Sequence, residues 1–357
     1  TVLRPLLCFF HYGQIRVLNQ LAQLLLILVM ACMLYQKKGL RWALFALTVY
    51  AMLMPQAVAC SLQYSWVFYI GVIGSVLVIR YRTELKKTHA CYLFLVLGML
   101  TSYFDLLTYP LFTWGMPMLW WVIMEEEARR EIDSLKDIIA CGLVWILGYG
   151  GMWAGKWVLG QIVLHEAVVL RAWNEVLYRS GPTDTGIGSS RFTSVIRNWE
   201  GMSGIQLIIP LALWFLWFVY RLAKKKGNAR PVKPFCLALI AFSPICWYMV
   251  LFNHTFVHVN FTYRIFSITF SSLLAAMILS VETQDSETHR SPLARILPAC
   301  VLLLAALTTL LSKEEFFVHN GHVPPQAVLL SEGLQISQVL VPEYSRIEKI
   351  NVGLQAE

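Results

Sequence analysis

Residues 253–264 read Asn-His-Thr-Phe-Val-His-Val-Asn-Phe-Thr-Tyr-Arg, which sets two histidines, two asparagines and an arginine between two apolar runs. Polar groups crowded beside hydrocarbon are costly, so such a cluster marks a functional site. His254 and His258 are four apart, and on a helix their rings project from one face. That spacing suits two metal ligands, but no carboxylate or third ligand lies close in sequence. Hydrogen bonding to a polar substrate, or within an external vestibule, is therefore expected, and no metal site is assigned. Arg264 stays charged at every relevant pH, and its planar fork matches a phosphate or pyrophosphate. The alternative for it is an interfacial anchor reaching lipid phosphates. Asn253, Tyr263 and Arg197 complete the expected substrate-binding set.

Acidic residues are nearly absent from the apolar runs and the short turns between them, and Asp105, in Tyr103-Phe104-Asp105, is the exception. A carboxylate there can act as a general base, orient a sugar hydroxyl or hold a divalent cation. It can equally cap the helix that follows. It is the candidate catalytic residue, and a divalent cation is the one cofactor the sequence leaves open.

The elements that must position these groups are membrane helices. Hydrophobic residues make up 57% of the chain and charged residues 14%, which excludes an ordinary soluble domain. The expected fold is an all-α polytopic membrane protein with about ten transmembrane helices, near 17–35, 42–59, 64–79, 90–103, 107–124, 138–158, 204–220, 235–252, 265–281 and 296–311. Residues 17–311 form this domain. Residues 1–16 read as the end of an external loop, 159–203 as a long external loop, and 312–357 as an extracytoplasmic tail that starts a small β-module. Thr1 follows no signal-peptide pattern, so the chain reads as a piece of a longer protein whose first helix and most of whose first external loop lie upstream.

Basic residues set the orientation. Lys37, Lys38 and Arg41, then Arg80, Arg82, Lys86 and Lys87, then Arg129, Arg130 and Lys136, then Arg221, Lys224, Lys225, Lys226, Arg230 and Lys233, and finally Arg290 and Arg295 all fall in alternate loops. Those loops are expected in the cytoplasm. The net charge of +8 therefore reflects membrane orientation and not nucleic acid. The eight cysteines are scattered and no pair has CxxC spacing, so neither a disulfide framework nor a zinc site is expected. Residues 125–137 read as a solvated, mixed-charge helix, and Gly151 and Gly155 as a small-residue pair for packing inside the bundle, with dimerisation as the alternative. The 161–179 segment has helical periodicity and reads as an interfacial helix or part of a lid. No Walker, GxSxG or HExxH motif is present, and no feature fixes an oligomeric state.

The layout resembles the GT-C superfamily of membrane glycosyltransferases, which use polyprenyl-phosphate-linked sugars. Leu3-Arg4-Pro5-Leu6-Leu7, the Tyr103-Phe104-Asp105 turn and the Asn253-His254…His258…Tyr263-Arg264 stretch are similar to bacterial membrane proteins of that kind. The resemblance implies an enzyme of the bacterial plasma membrane, with membrane lipids and a polyprenyl-phosphate-linked donor as partners. Asp105 would line an external cavity, Arg264 would hold the lipid phosphate, and the histidines would contact sugar or phosphate. Arg264→Ala is then expected to abolish transfer and leave the fold intact. In that superfamily the catalytic acid usually lies in the first external loop, upstream of Thr1, so no catalytic residue carries over by motif. A transporter or flippase for a lipid-linked or anionic substrate is the rival reading, and a structural component of the envelope is the third.

Overall fold

The computed structural model describes residues 3–59, 62–125, 128–181, 190–224 and 233–281. Every element among them is helical: α1 (Leu3–Leu7), α2 (Tyr12–Lys38), α3 (Leu40–Met52), α4 (Pro55–Ala59), α5 (Leu62–Tyr81), α6 (Lys87–Phe104), α7 (Phe112–Ile123), α8 (Glu131–Leu164), α9 (Val168–Ser180), α10 (Arg191–Met202), α11 (Ile205–Ala223), α12 (Pro234–Val250), α13 (Phe252–Val257), α14 (Val259–Thr262), a 3-10 turn (Tyr263–Phe266) and α15 (Ser267–Val281). Among the described residues four helices are long and apolar enough to cross a membrane: Tyr12–Lys38, Leu62–Tyr81, Glu131–Leu164 and the continuous Val259–Val281. A membrane-embedded helical protein follows from these. Nine of the ten expected runs fall on helices, several of them too short to count as spans alone. The tenth run and the 312–357 tail with its expected β-module lie outside the described residues.

The bundle is built around α7, whose twelve residues are all buried. A helix apolar on every side must be enclosed by others, and here α5, α6, α8, α12 and α15 enclose it. At about 18 Å it is shorter than the roughly 30 Å hydrocarbon core. The expected 107–124 span is thus a short inner helix preceded by non-helical backbone at 105–111. The expected 42–59 span is also broken, because Pro55 cannot donate to the helix before it. Met54 accommodates the break with φ of 52°.

Helix directions agree with the alternation of basic loops. Lys87 pairs with Asp137 at 3.2 Å, Gly148 lies on the Leu95 backbone, and Lys156 donates to the Ser102 carbonyl, so α6 and α8 run parallel. Asn19 bonds Ser65 at one end of α2 and α5, and Lys37 donates to the Ile79 carbonyl at the other. These two also run parallel. As a result Lys37, Arg82, Lys87, Arg129 and Lys233, from four different loops, all gather at one end.

That end corrects the solvated reading of 125–137. Met124, Glu125 and residues 128–130 are not helical, so Glu125 does not lie on a helix face. Its side chain is 2% exposed and accepts from Arg82 at 2.9 Å and Arg129 at 2.8 Å. Lys233 and Ser134 bond its second oxygen. Asp137, equally buried, pairs with Lys87 and Arg129, and Glu131 caps the first turn of α12 through the Phe235 N–H at 2.7 Å.

The expected packing role of Gly151 and Gly155 is also corrected. A Cβ at either position, or at Gly150, meets nothing within 4 Å. The close approach of α6 and α8 occurs instead at Gly98 and Gly148. A Cβ at Gly98 would fall under 3.0 Å from the Trp145 carbonyl, and one at Gly148 under 3.0 Å from the Leu95 carbonyl. Backbone atoms cannot swing aside, so Gly148→Val is expected to separate the helices at a cost of about 3 kcal/mol. Gly151→Ala should be neutral or raise stability slightly through helix propensity. Thermal melting of the detergent-solubilised protein separates the two, and equal melting temperatures would refute this packing.

Candidate functional site

The end opposite the basic loops holds most of the predicted site residues. Here α6 stops at Phe104 and the chain enters the non-helical 105–111 segment. Such backbone persists within a membrane protein only where its polar groups are satisfied. Asp105 does much of this. Both of its oxygens accept from the Thr108 N–H, at 3.0 and 3.1 Å, and Oδ1 also accepts from the Thr108 hydroxyl. Asp105 therefore closes its own turn and does not cap α7, whose N-cap is Leu111. It is 5% exposed, and burial outweighs the Thr108 hydrogen bonds to raise its carboxyl to about 6.

The turn holds Leu107 at φ of 64°, a left-handed conformation that costs a branched side chain about 1–2 kcal/mol. Its carbonyl is 2.9 Å from His254 Nε2. A carbonyl can only accept, so Nε2 carries the proton and Nδ1 is left as an acceptor. Burial lowers His254 to about 4, so its ring is neutral at pH 7. Residues 147 positions apart in sequence thus meet, and the Asp105 turn fixes the tautomer of His254.

His258 continues outward from this contact. Its ring lies 4.8 Å from that of His254 and stacks on Phe261 at 5.3 Å, with Tyr64 beyond Phe261 at 5.7 Å. His258 is exposed, yet partial burial and then the charge of Arg179 still hold it below its usual range. Asn253 donates Nδ2 to the Tyr178 carbonyl at 2.7 Å, which ties α13 to the end of α9. Its buried Oδ1 has no partner among the described residues.

Tyr263 and Arg264 face elsewhere, because α13 ends at Val257 and the backbone tightens into a 3-10 turn at 263–266. Arg264 is 2% exposed. Its Nε donates to the Leu53 carbonyl at 2.8 Å and Nη1 to the Asn260 carbonyl at 3.1 Å. The guanidinium lies 4.7 Å from the Tyr263 ring, and the Tyr263 hydroxyl donates to Met54 Sδ at 2.9 Å. Among the described residues no carboxylate pairs with Arg264. Both residues are thus pinned to the α3–α4 break, and Arg264 satisfies the carbonyl that the break frees. Its reading as an exposed interfacial anchor is corrected by this burial. Tyr109 lies between the two halves, within electrostatic reach of Arg264, Asp105 and Tyr263.

Arg197 is set apart on α10, 4.5 Å over the Phe256 ring. The same helix contributes residues that the sequence reading missed. Asn198 donates to the Thr255 carbonyl at 2.8 Å and accepts from the Thr262 hydroxyl at 2.7 Å. Ser194 meets the Thr255 hydroxyl at 2.7 Å. This buried network fixes the 253–264 stretch from behind. Two signals for missed residues were present: Asp-x-x-Thr at 105–108 is a side-chain turn pattern, and Ser194 and Asn198 lie four apart on one helix face.

Among the described residues no group of three or more His, Cys, Asp or Glu converges on a possible metal position. An open groove of about 670 Å³ lies at the α8–α9 corner, lined by Gln161, His165, Val169, Leu170 and Trp173 among others, and includes none of the site residues above. Comparison with protein-family models, curated proteins and solved structures found no match.

Proposed function

We propose that this chain forms the membrane domain of an envelope enzyme that uses a polyprenyl-phosphate-linked sugar, and that its working end is the one opposite the basic loops. In this reading the basic end lies in the cytoplasm, where positive loops are retained. The observation that carries the proposal is the meeting of the Asp105 turn with His254 and His258. It joins an exposed imidazole to a fixed neutral one, with Arg264 on the far side of Tyr109, which is within electrostatic reach of both Arg264 and Asp105. Neutral imidazoles can accept a proton from an acceptor hydroxyl or bond the sugar. Arg264 adds positive potential with no carboxylate paired to it among the described residues, which favours a phosphate nearby. Asp105 acts as a positioning residue, because both its oxygens are committed to Thr108.

The second reading, a transporter or flippase, is favoured by the broken α3–α4 segment and by Asn19 and Gln23. These polar residues lie on the buried face of α2, whose other members are apolar, and Asn19 bonds the Ala59 carbonyl at the end of α4 at 3.0 Å. Broken helices with polar neighbours also build transport sites.

His258→Ala separates the readings from loss of fold, since the ring is exposed. In proteoliposomes of the complete protein given a labelled polyprenyl-phosphate sugar and acceptor, transfer is expected to fall by about 10²-fold. Unchanged transfer would overturn the enzyme assignment of this site. Movement of the labelled lipid across the bilayer with no transferred sugar would favour the transporter.

A further inference from the structure

The helix α9 has no buried residue, yet it is held at both ends. Gln161 Oε1 accepts from the Val169 N–H at 3.1 Å, and the Tyr178 carbonyl accepts from Asn253 at 2.7 Å. Val168, Ala172 and Val176 are half-buried on the docked side. The adjacent side exposes Val169, Leu170, Trp173 and Leu177, and Leu170, Trp173 and Leu177 are each more than half exposed. Those positions recur at helical spacing and make a continuous apolar face. The far side carries Arg171 and Glu175 at the same period.

We propose that this face of α9 is seated at the hydrocarbon boundary of the bilayer leaflet on the side opposite the basic loops, with zwitterionic phospholipid as its partner. Three observations support that occupant. First, α8, which leads into α9 through a short turn, exposes apolar surface at its end: Leu159, Ile162 and Val163 are each over 60% exposed on a helix long enough to span. Second, the charges beside it balance locally: Glu166 pairs with Arg171 at 2.9 Å and Glu175 with Arg179 at 2.8 Å. Such a helix binds by apolar area and needs no anionic lipid. Third, Trp173 and Tyr178 are of the type that sits at the headgroup level. Because Asn253 fixes the last turn of α9, this seat places His254 and His258 at headgroup depth. There a ligand with an apolar tail can present its polar end without leaving the bilayer. The seat needs the membrane reading only, and stands whether the site transfers or transports.

The test places an environment-sensitive fluorescent amino acid, encoded one position at a time, at Leu170, Trp173, Arg171 and Glu175. The protein is reconstituted in phosphatidylcholine vesicles, and parent-like elution of each labelled chain serves as the folding check. Labels at 170 and 173 are expected to be quenched by acyl-chain nitroxide lipids and several-fold less by aqueous iodide than labels at 171 and 175, which should show the reverse. Equal iodide quenching at all four positions would overturn the seat by placing the face in water. Labels at 170 and 173 that neither reagent reaches would overturn it in favour of a covering protein surface, either a second copy or another part of the chain. No readout depends on substrate, so failure here is distinct from failure of the proposed activity.

Discussion

Glu125→Ala is expected to lower the melting temperature of the solubilised protein by about 10 °C or to abolish a monodisperse fold. One carboxylate, 2% exposed, holds Arg82, Arg129 and Lys233 together. These come from the loop after α5, the loop after α7 and the start of α12. Removing it leaves three cations facing one another in a largely buried place, where among them Asp137 pairs directly with Arg129 and reaches Arg82 only at longer range. Breaking a buried pair in this way costs about 3–5 kcal/mol, mostly from the charges left uncompensated. Arg82 retains the Trp121 carbonyl at 3.1 Å and the Trp121 ring at 3.8 Å, which soften its share of the loss. Glu125→Gln should fall between, since the amide keeps an acceptor and loses the charge. Glu84→Ala is the control: its pair with Arg80 is 3.8 Å long and more than half exposed on both sides, worth about 0–1 kcal/mol. If Glu125→Ala melts with Glu84→Ala, the network is not holding that end together.

The same network marks where sequence reasoning stopped. Apolar run length and loop charge were enough to place the helices and to group the basic loops, because both depend on composition averaged over many residues. They could not find Glu125, whose role depends on the chain leaving helical geometry between α7 and α8. Gly151 and Gly155 failed for a similar reason. Their spacing is correct for helix contact, but α8 turns that face outward and uses Gly98 and Gly148, a pairing of two helices that neither sequence contains alone. At the site, the sequence singled out His254, His258 and Asp105, and the structure brings the Asp105 turn against His254. The partners of His254 and Arg264 were not legible, since Leu107, Leu53 and Asn260 contribute backbone carbonyls, which no residue type announces. Asn19 and Gln23 were overlooked inside an apolar run, where averaging hides two polar residues.

Arg264→Ala is expected to destabilise the protein by about 3 kcal/mol or more, which departs from the expectation that it would silence activity alone. Each hydrogen bond from a charged donor is worth roughly 1.5–3 kcal/mol, and an acceptor left buried and unpaired adds to the loss. Two carbonyls depend on this guanidinium, at Leu53 and Asn260. The Leu53 carbonyl lies at the α3–α4 break, where Pro55 forbids a return to helix. Its loss should loosen Met54 and with it the Tyr263 hydroxyl contact. Arg264→Lys is the informative partner, because an ammonium keeps the charge but cannot copy the planar fork that serves both carbonyls. Fold and charge then separate. If Arg264→Lys restores the melting temperature only in part yet keeps activity, the positive charge near Tyr109 is what the site uses. If it restores the melting temperature and not activity, the fork geometry is what the substrate reads. Full stability in Arg264→Ala, measured by melting in the same detergent, would show that the break is held by other contacts and return Arg264 to a purely ligand-facing role.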